Sequence, residues 1–290
     1  MDKFVQLTLT GLTTGAIYAL VALGFVLIYK SSNVINFAQG EFLLVGAYLA
    51  YGLIAEVGLP WTIGVLLTLL VAVLLGVVIE RFILRPLIGE PIISVIMVTI
   101  GLASVMRAVV FAIWGTAPQS FPAFIPTQDV AILGAVVPSD RLVAIGVAAV
   151  LLVAFTLFFR RSSDGIAMRA VADDQQAALS MGISVKRIFA LAWSIAGVTA
   201  AIAGILVANI VGVSSAVAGI GLRVFPVVIL GGLDSIPGAI VWGIIIGLLE
   251  AYTAGYIGAG LSQVIPFIVL VLILMVRPYG LFGEERIERV

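Results

Sequence analysis

Apolar residues in this chain come in long unbroken runs, not in alternation with polar ones. Runs of membrane-spanning length can be marked at about 5–29, 38–57, 61–80, 92–113, 142–159, 188–211, 236–254 and 262–276. Stretches longer than about 18 apolar residues with few charges need hydrocarbon as their solvent. The last run is short, and its true start is expected to lie earlier. A further run, 224–232, holds Pro226 and ends in Gly231-Gly232. Too short to cross alone, it predicts a half-helix or a broken pass, which lipid tolerates only when the backbone lies in protein or lines a watery cavity. The pattern predicts an all-α polytopic membrane protein of eight to nine transmembrane elements with at least one broken or half helix. The run 5–29 is too long for the apolar core of a secretory signal and is read as the first membrane helix. No internal repeat, low-complexity tract or Ser/Gly linker divides the chain, so 1–290 is expected to be a single integral membrane domain.

Composition agrees and removes whole classes of function. The chain is 62% hydrophobic and 10% charged, against about 45–50% and about 25% in soluble domains. It has no histidine and no cysteine, which excludes disulfide frameworks, Cys/His zinc clusters, thiol nucleophiles and Ser-His-Asp chemistry. Its three lysines, Lys3, Lys30 and Lys186, follow Asp2, Tyr29 and Val185. None follows a glycine, so the Gly-Lys-Ser/Thr end of a phosphate-binding P-loop is missing. Net charge is zero without a basic stripe, so no nucleic-acid partner is expected. No cofactor, metal site or catalytic residue is expected either.

The few charges sort by side. Arg160, Arg161, Arg169, Lys186 and Arg187 lie in the segment 160–187, Arg81 and Arg85 near 81–90, and Arg277, Arg286 and Arg289 in the tail. With Lys30 they make eleven of the fifteen basic residues. The long connection 114–141 has Arg141 alone, beside Asp129 and Asp140. The positive-inside rule places the basic segments in the cytoplasm and 114–141 outside. Returning from 160–187 to a cytoplasmic tail takes an even number of crossings, so 224–232 is needed as a fourth pass after residue 187. Counting backwards puts Lys30 inside and the N-terminal tail outside.

Within the basic segment, Ser163 or Asp164 can cap a helix, Ile166 to Met181 is rich in helix formers, and Gly182 is a good C-terminal stop. Ile166, Ala170, Ala177 and Met181, with Val171 and Ala178, fall near one stripe, and Asp173, Asp174 and Gln175 lie elsewhere. Such a helix can lie along the cytoplasmic face and offer a knob to a partner. A plain solvated connection is the alternative; docking is preferred because loops between spans are usually shorter.

The polar run 31–41, Ser-Ser-Asn-Val-Ile-Asn-Phe-Ala-Gln-Gly-Glu, interrupts two apolar spans. Amides and a carboxylate near membrane depth must find partners or water. Asn33, Asn36, Gln39 and Glu41 can line a translocation path whose weak polar contacts let a zwitterion pass. They can equally form a cytoplasmic turn that caps a helix beginning near Phe37. Arg107 and Glu250 sit near the ends of their spans, which favours snorkelling over a proton relay. Ala192, Ala196, Ala200, Gly204 and Ala208 recur every fourth residue, and Gly11/Gly15 and Gly243/Gly247 repeat the spacing that lets helices approach closely in lipid. Asp234 and Ser235 can cap the helix that follows them, with Pro237 in its first turn.

The run 176–182, Gln-Ala-Ala-Leu-Ser-Met-Gly, resembles the E-A-A-x-x-x-G loop of ABC importer permeases, with Gln176 in place of Glu and without the distal proline. The segments 11–24, 33–41, 165–174, 230–238 and 276–282 resemble, in order, the branched-chain amino-acid ABC importer permeases of the H type, and together cover essentially the whole chain. The resemblance implies an ABC importer permease fold. It also implies a second, homologous permease subunit, a heterodimer being favoured over a homodimer. Two cytoplasmic ATP-binding subunits, a periplasmic or extracellular substrate-binding protein and a small amino-acid substrate complete the implied system, in a bacterial inner membrane. ATP hydrolysis would then take place on the partners, and this chain would not be an enzyme. The ATPase-docking segment, about 160–187, would engage through Arg169, Asp173, Asp174, Gln176, Ala177, Ala178 and Gly182. Urea and amides are moved by relatives of the same group. The alternative is a stand-alone secondary transporter or channel for a small polar solute, which the docking-type loop and the lack of a clear mid-span acid disfavour.

Overall fold

The computed structural model describes residues 2–122, 124–125, 127–132 and 134–277. The tail arginines Arg286 and Arg289, and most of the segment 276–282, lie outside the described residues. Among the described residues, six helices are long and apolar enough to cross a membrane: α1 (Asp2–Ser32), α3 (Trp61–Ile79, running on through a π-helical turn Glu80–Leu84), α4 (Ile92–Trp114), α5 (Ser139–Arg161), α8 (Val185–Val211) and α10 (Ile236–Tyr256). Between them lie α2 (Gln39–Tyr51, running on as a π-helical turn Gly52–Glu56) and α9 (Ala216–Gly231). The strands β1 (Asp129–Ile132) and β2 (Ala135–Pro138), and the short helices α6 (Ser163–Asp173), α7 (Gln175–Ser180), α11 (Ala259–Ser262) and α12 (Ile265–Leu274), complete the order. By length, then, six of the expected eight or nine elements qualify as spans, and α2, α9 and α12 are shorter apolar pieces.

α1 is the central helix. Its most apolar stretch is 89% buried, against 22% for α4 and for α5, as expected of a helix that is hydrophobic all round. Two glycine pairs noted separately in the sequence face one another across its longest contact. A Cβ on Gly15 would meet Ile244 Cα at 2.7 Å, and one on Gly243 would meet Ala19 N at 2.8 Å, so only bare backbone lets α1 and α10 touch. The small-residue face of α8 is buried throughout, from Ala192 to Ala208. There Gly204 takes the Leu43 carbonyl of α2 and Gly197 takes Ala72 of α3. In lipid such close approach supplies the van der Waals contact that hydrophobicity cannot. α3, α4 and α5 turn Leu66, Leu70, Ile93, Met97, Val150 and Val153 outward, the apolar belt of a lipid-facing surface.

The charge sorting has a geometric counterpart. At one end, Lys30 Nζ donates to the Asp234 carbonyl at 3.2 Å and lies 5.7 Å from the Phe159 ring, while Ser32, Glu80, Glu90 and Gln175 border one small cavity. At the other end, Arg141 Nη1 donates to Thr10 at 2.8 Å, and Gln119 pairs with Val213. The hairpin β1–β2 lies in the same 114–141 connection, with Asp129 opposite Pro138.

One local expectation is corrected and another is borne out in part. The run 224–232 is the C-terminal half of the sixteen-residue α9, whose first turns are masked in sequence by Gly219, Gly221 and Arg223. Its Pro226 sits inside the helix. Ser235, not Asp234, caps α10, accepting from Gly238 N at 3.1 Å.

Candidate functional site

α1 ends at Asn33, whose φ of 55° reverses the chain, a conformation that asparagine tolerates better than most residues. Residues 33–38 are not helical, and they run inward from exposed Asn33 to buried Asn36 and Ala38. The Phe37 amide donates to Thr99 Oγ1 of α4 at 3.3 Å, and Gln39 Nε2 reaches the Ala196 carbonyl near the middle of α8 at 3.3 Å. α2 therefore starts level with the middle of its neighbours, not at their ends. Irregular backbone at such depth must be satisfied inside the protein. Asn36 does this: its Oδ1 accepts from Ala38 N at 3.0 Å, and its Nδ2 donates to Gln39 Oε1 at 3.1 Å. Asn36 and Gln39 are buried, and Gln39 is held against Gly24, where any Cβ would strike its amide. The placement is explained by small residues: Gly40 and Gly221 let the starts of α2 and α9 lie backbone to backbone. The helix begins at Gln39, two residues later than expected, with Ala38 at the capping position and no side-chain cap.

Glu41, in the first turn of α2, is buried and ion-paired with Arg107 of α4. Arg107 Nε donates to Glu41 Oε1 at 3.1 Å, its Nη2 also bonds Oε1, and Glu41 Oε2 has no hydrogen-bond partner among the described residues. Arg107 therefore does not snorkel; a carboxylate 66 positions earlier in the chain holds it. The pair borders a cavity of about 500 Å³ whose other walls include Phe37, Ser104, Phe111, Ala218 and Leu222. Asn36 and Gln39 lie behind this wall as its scaffold. Asn33 lies away from it, beside Glu80, Glu90 and Gln175 at the end of the bundle that carries the basic segments. Of the four path residues named from sequence, Glu41 alone lines the cavity. Its partner was recognisable as an intramembrane charge but not as its partner.

The basic segment 160–187 is ordered but is not one helix. Ser162 caps α6, accepting from Gly165 N at 2.9 Å. Asp174 then breaks the helix: its backbone is extended, and its Oδ1 accepts from Gln176 N at 2.8 Å and Ala177 N at 3.0 Å, starting α7. The expected continuous helix over 166–181 fails because aspartate competes with the backbone for its amides. Gly182, at φ 83°, ends α7 as expected. Arg169 packs inward, donating to the Phe159 carbonyl at 2.8 Å, and so closes the C-terminus of α5. Met168, Val171 and Ala178 face the bundle, whereas Leu179 and Met181 are exposed, Met181 at 83%. Asp164 and Arg187 clasp the two ends of the segment at 3.1 Å. The knob offered to solvent is thus Leu179 to Gly182, with Gln176 on the same short helix.

Glu250 does not snorkel either. It is 9% exposed and takes a 2.7 Å hydrogen bond from Tyr18 of α1. Tyr18 and Arg223, which interacts with both, escaped sequence reasoning. Arg223 would have stood out as an intramembrane charge had the run at 224–232 been extended back to Ala216.

Residues 7–274 match the family model described as the branched-chain amino acid transport system permease component. The chain is 31% identical to the high-affinity branched-chain amino acid transport system permease protein LivH of Escherichia coli (strain K12), over 99% of this chain and 98% of that protein. It is also 31% identical to the permease protein BraD of Pseudomonas aeruginosa, with the same coverage. A probable LivH of Methanocaldococcus jannaschii is 28% identical over 92% of this chain and 88% of that protein. Among solved structures, PsaBC from Streptococcus pneumoniae in complex with Fab shares the fold, with a TM-score of 0.52 at 20% identity, over 95% of this chain and 92% of that one.

Proposed function

The chain belongs to the family of branched-chain amino acid transport system permease components, and from that premise we propose that this ABC importer permease passes branched-chain or related hydrophobic amino acids across a bacterial inner membrane. The observation that carries the reading is the Glu41–Arg107 pair in the wall of an otherwise largely apolar cavity. A zwitterion can exchange its charges with such a pair while its side chain meets Phe37, Phe111 and Leu222.

ATP is hydrolysed on two cytoplasmic partner subunits, and this chain has no Gly-Lys pair with which to build a P-loop. Those subunits grip the segment Leu179–Gly182, and their closure moves α6 and α7 against α1 and α8. A second permease, a homologue in preference to a copy, completes the pore, and a binding protein outside delivers the substrate. The family supports the ATPase and binding-protein partners; the exposed Leu179 and Met181 support the place of docking.

Uptake of radiolabelled leucine by cells lacking this chain, with and without its restoration on a plasmid, tests the substrate class. The reading expects uptake to return and unlabelled isoleucine and valine to compete. Restored uptake that urea or acetamide suppresses and valine does not would contradict it.

A further inference from the structure

A second cavity, of about 360 Å³, opens between α1, α8, α9 and α10 on the side of Arg141, Thr10 and Ser214, the end opposite the basic segments. It shares no lining residue with the Glu41–Arg107 cavity. At its base lies Glu250, nine-tenths buried, with Oε2 bonded to Tyr18 and Oε1 without a hydrogen-bond partner among the described residues. A buried carboxylate with one bare oxygen is costly unless something supplies a cation or donors. Arg223 lines the same cavity within electrostatic reach of Glu250 and Tyr18. No ion pair within 4.0 Å joins Arg223 to Glu250. The other walls of the cavity include Ile17, Val207, Val217 and Ile220, with Thr13 and Thr14 as small polar groups.

One anion, one cation held apart from it, and an aliphatic wall match one chemical class. We propose that this cavity is an outward-side binding site for an aliphatic α-amino acid, with the ammonium at Glu250, the carboxylate at Arg223 and the side chain against Ile17, Val207 and Ile220. The proposal rests on the transport reading above and adds to it a station on the outer side, reached before the Glu41–Arg107 cavity. Neither a simple amine nor a simple carboxylate satisfies both charged walls, so two-point recognition separates amino acids from their uncharged relatives. Tyr18 is a positioning residue: it holds Glu250 Oε2 and leaves Oε1 without a hydrogen-bond partner among the described residues.

The chain contains no cysteine, so a Thr14→Cys variant carries a single thiol, on the wall of this cavity. The assembled importer with that variant is reconstituted in proteoliposomes and treated with a small methanethiosulfonate, and labelling of this chain is followed without ATP. Leucine is expected to slow labelling, and leucinamide and 4-methylpentanoate, each lacking one charge, to do so about tenfold less effectively. Adding Glu250→Gln should raise the leucine concentration needed by about tenfold or more. The first arm leaves both charged residues intact and stands whether or not the Glu250→Gln protein assembles. If leucine leaves the labelling rate unchanged in a complex that transports leucine, this site is overturned while the transport reading survives. Equal protection by leucinamide overturns the two-point recognition. Absence of leucine uptake by the unmodified complex overturns the transport reading and this site with it.

Discussion

Glu41 and Arg107 form an ion pair of unequal partners: the acid's side chain is 4% exposed and the base's 49%. The two truncations should therefore differ. Arg107→Ala leaves a buried carboxylate unpaired and should cost about 3–5 kcal/mol of stability. Glu41→Gln leaves a half-exposed cation beside a neutral acceptor and should cost about 1–2 kcal/mol. Thermal unfolding of the purified variants in detergent checks the order. Equal losses would show that the arginine is as dry as the acid.

Asp174 is expected to matter through its backbone contacts. Asp174→Ala removes the cap on Gln176 N and Ala177 N and should cost about 1 kcal/mol locally, whereas Asp174→Asn should retain most of it. The measurable consequence is weaker ATPase co-purification and looser coupling for Asp174→Ala alone. Hydrogen exchange across 175–182 should rise in the same variant.

The docking face separates by exposure. Met181→Asp and Leu179→Asp change side chains in open surroundings and should reduce ATPase association while leaving the permease folded. Ala178→Arg forces a charge into the bundle and should lower the yield of folded protein instead. Affinity capture of the ATP-binding subunits, normalised to monodisperse permease, distinguishes the two effects.

Glycine contacts make the packing testable. Gly15→Ala must push a methyl against Ile244 Cα at 2.7 Å and should cost about 1–3 kcal/mol. Gly101→Ala, in α4 with nothing within 4 Å, should be neutral or stabilise by up to about 1 kcal/mol. The melting temperature should fall for Gly15→Ala and stay level or rise for Gly101→Ala.

Much of this was legible in the residues because lipid makes hydropathy a strong constraint. The helices α1, α3, α4, α5, α8 and α10 coincide with apolar runs, and the four-residue spacing of Gly11/Gly15 and Gly243/Gly247 marked close packing. That these two pairs face each other was not legible, since spacing gives a face and not its partner. The same limit hid the partners of Arg107 and Glu250. Position within a span suggests snorkelling, but only the fold brings Glu41 and Tyr18 to them. The placement of α2 was missed for another reason. Hydropathy merges 38–57 into one run, and the depth at which it begins depends on Asn36, Gln39 and the bare backbones of Gly24, Gly40 and Gly221. Asp174 was read as a helix residue because the formers around it outvote it in a window, although its own side chain prefers to cap.

A permease that moves an amino acid with energy borrowed from partner ATPases transports only in their company. The direct measurement is leucine uptake into proteoliposomes, comparing the full assembly supplied with ATP against the purified chain alone under a proton or sodium gradient. Accumulation is expected in the first case, dependent on hydrolysis and on the outside binding protein, and none in the second. Gradient-driven accumulation by the chain alone would contradict this and identify a stand-alone secondary transporter.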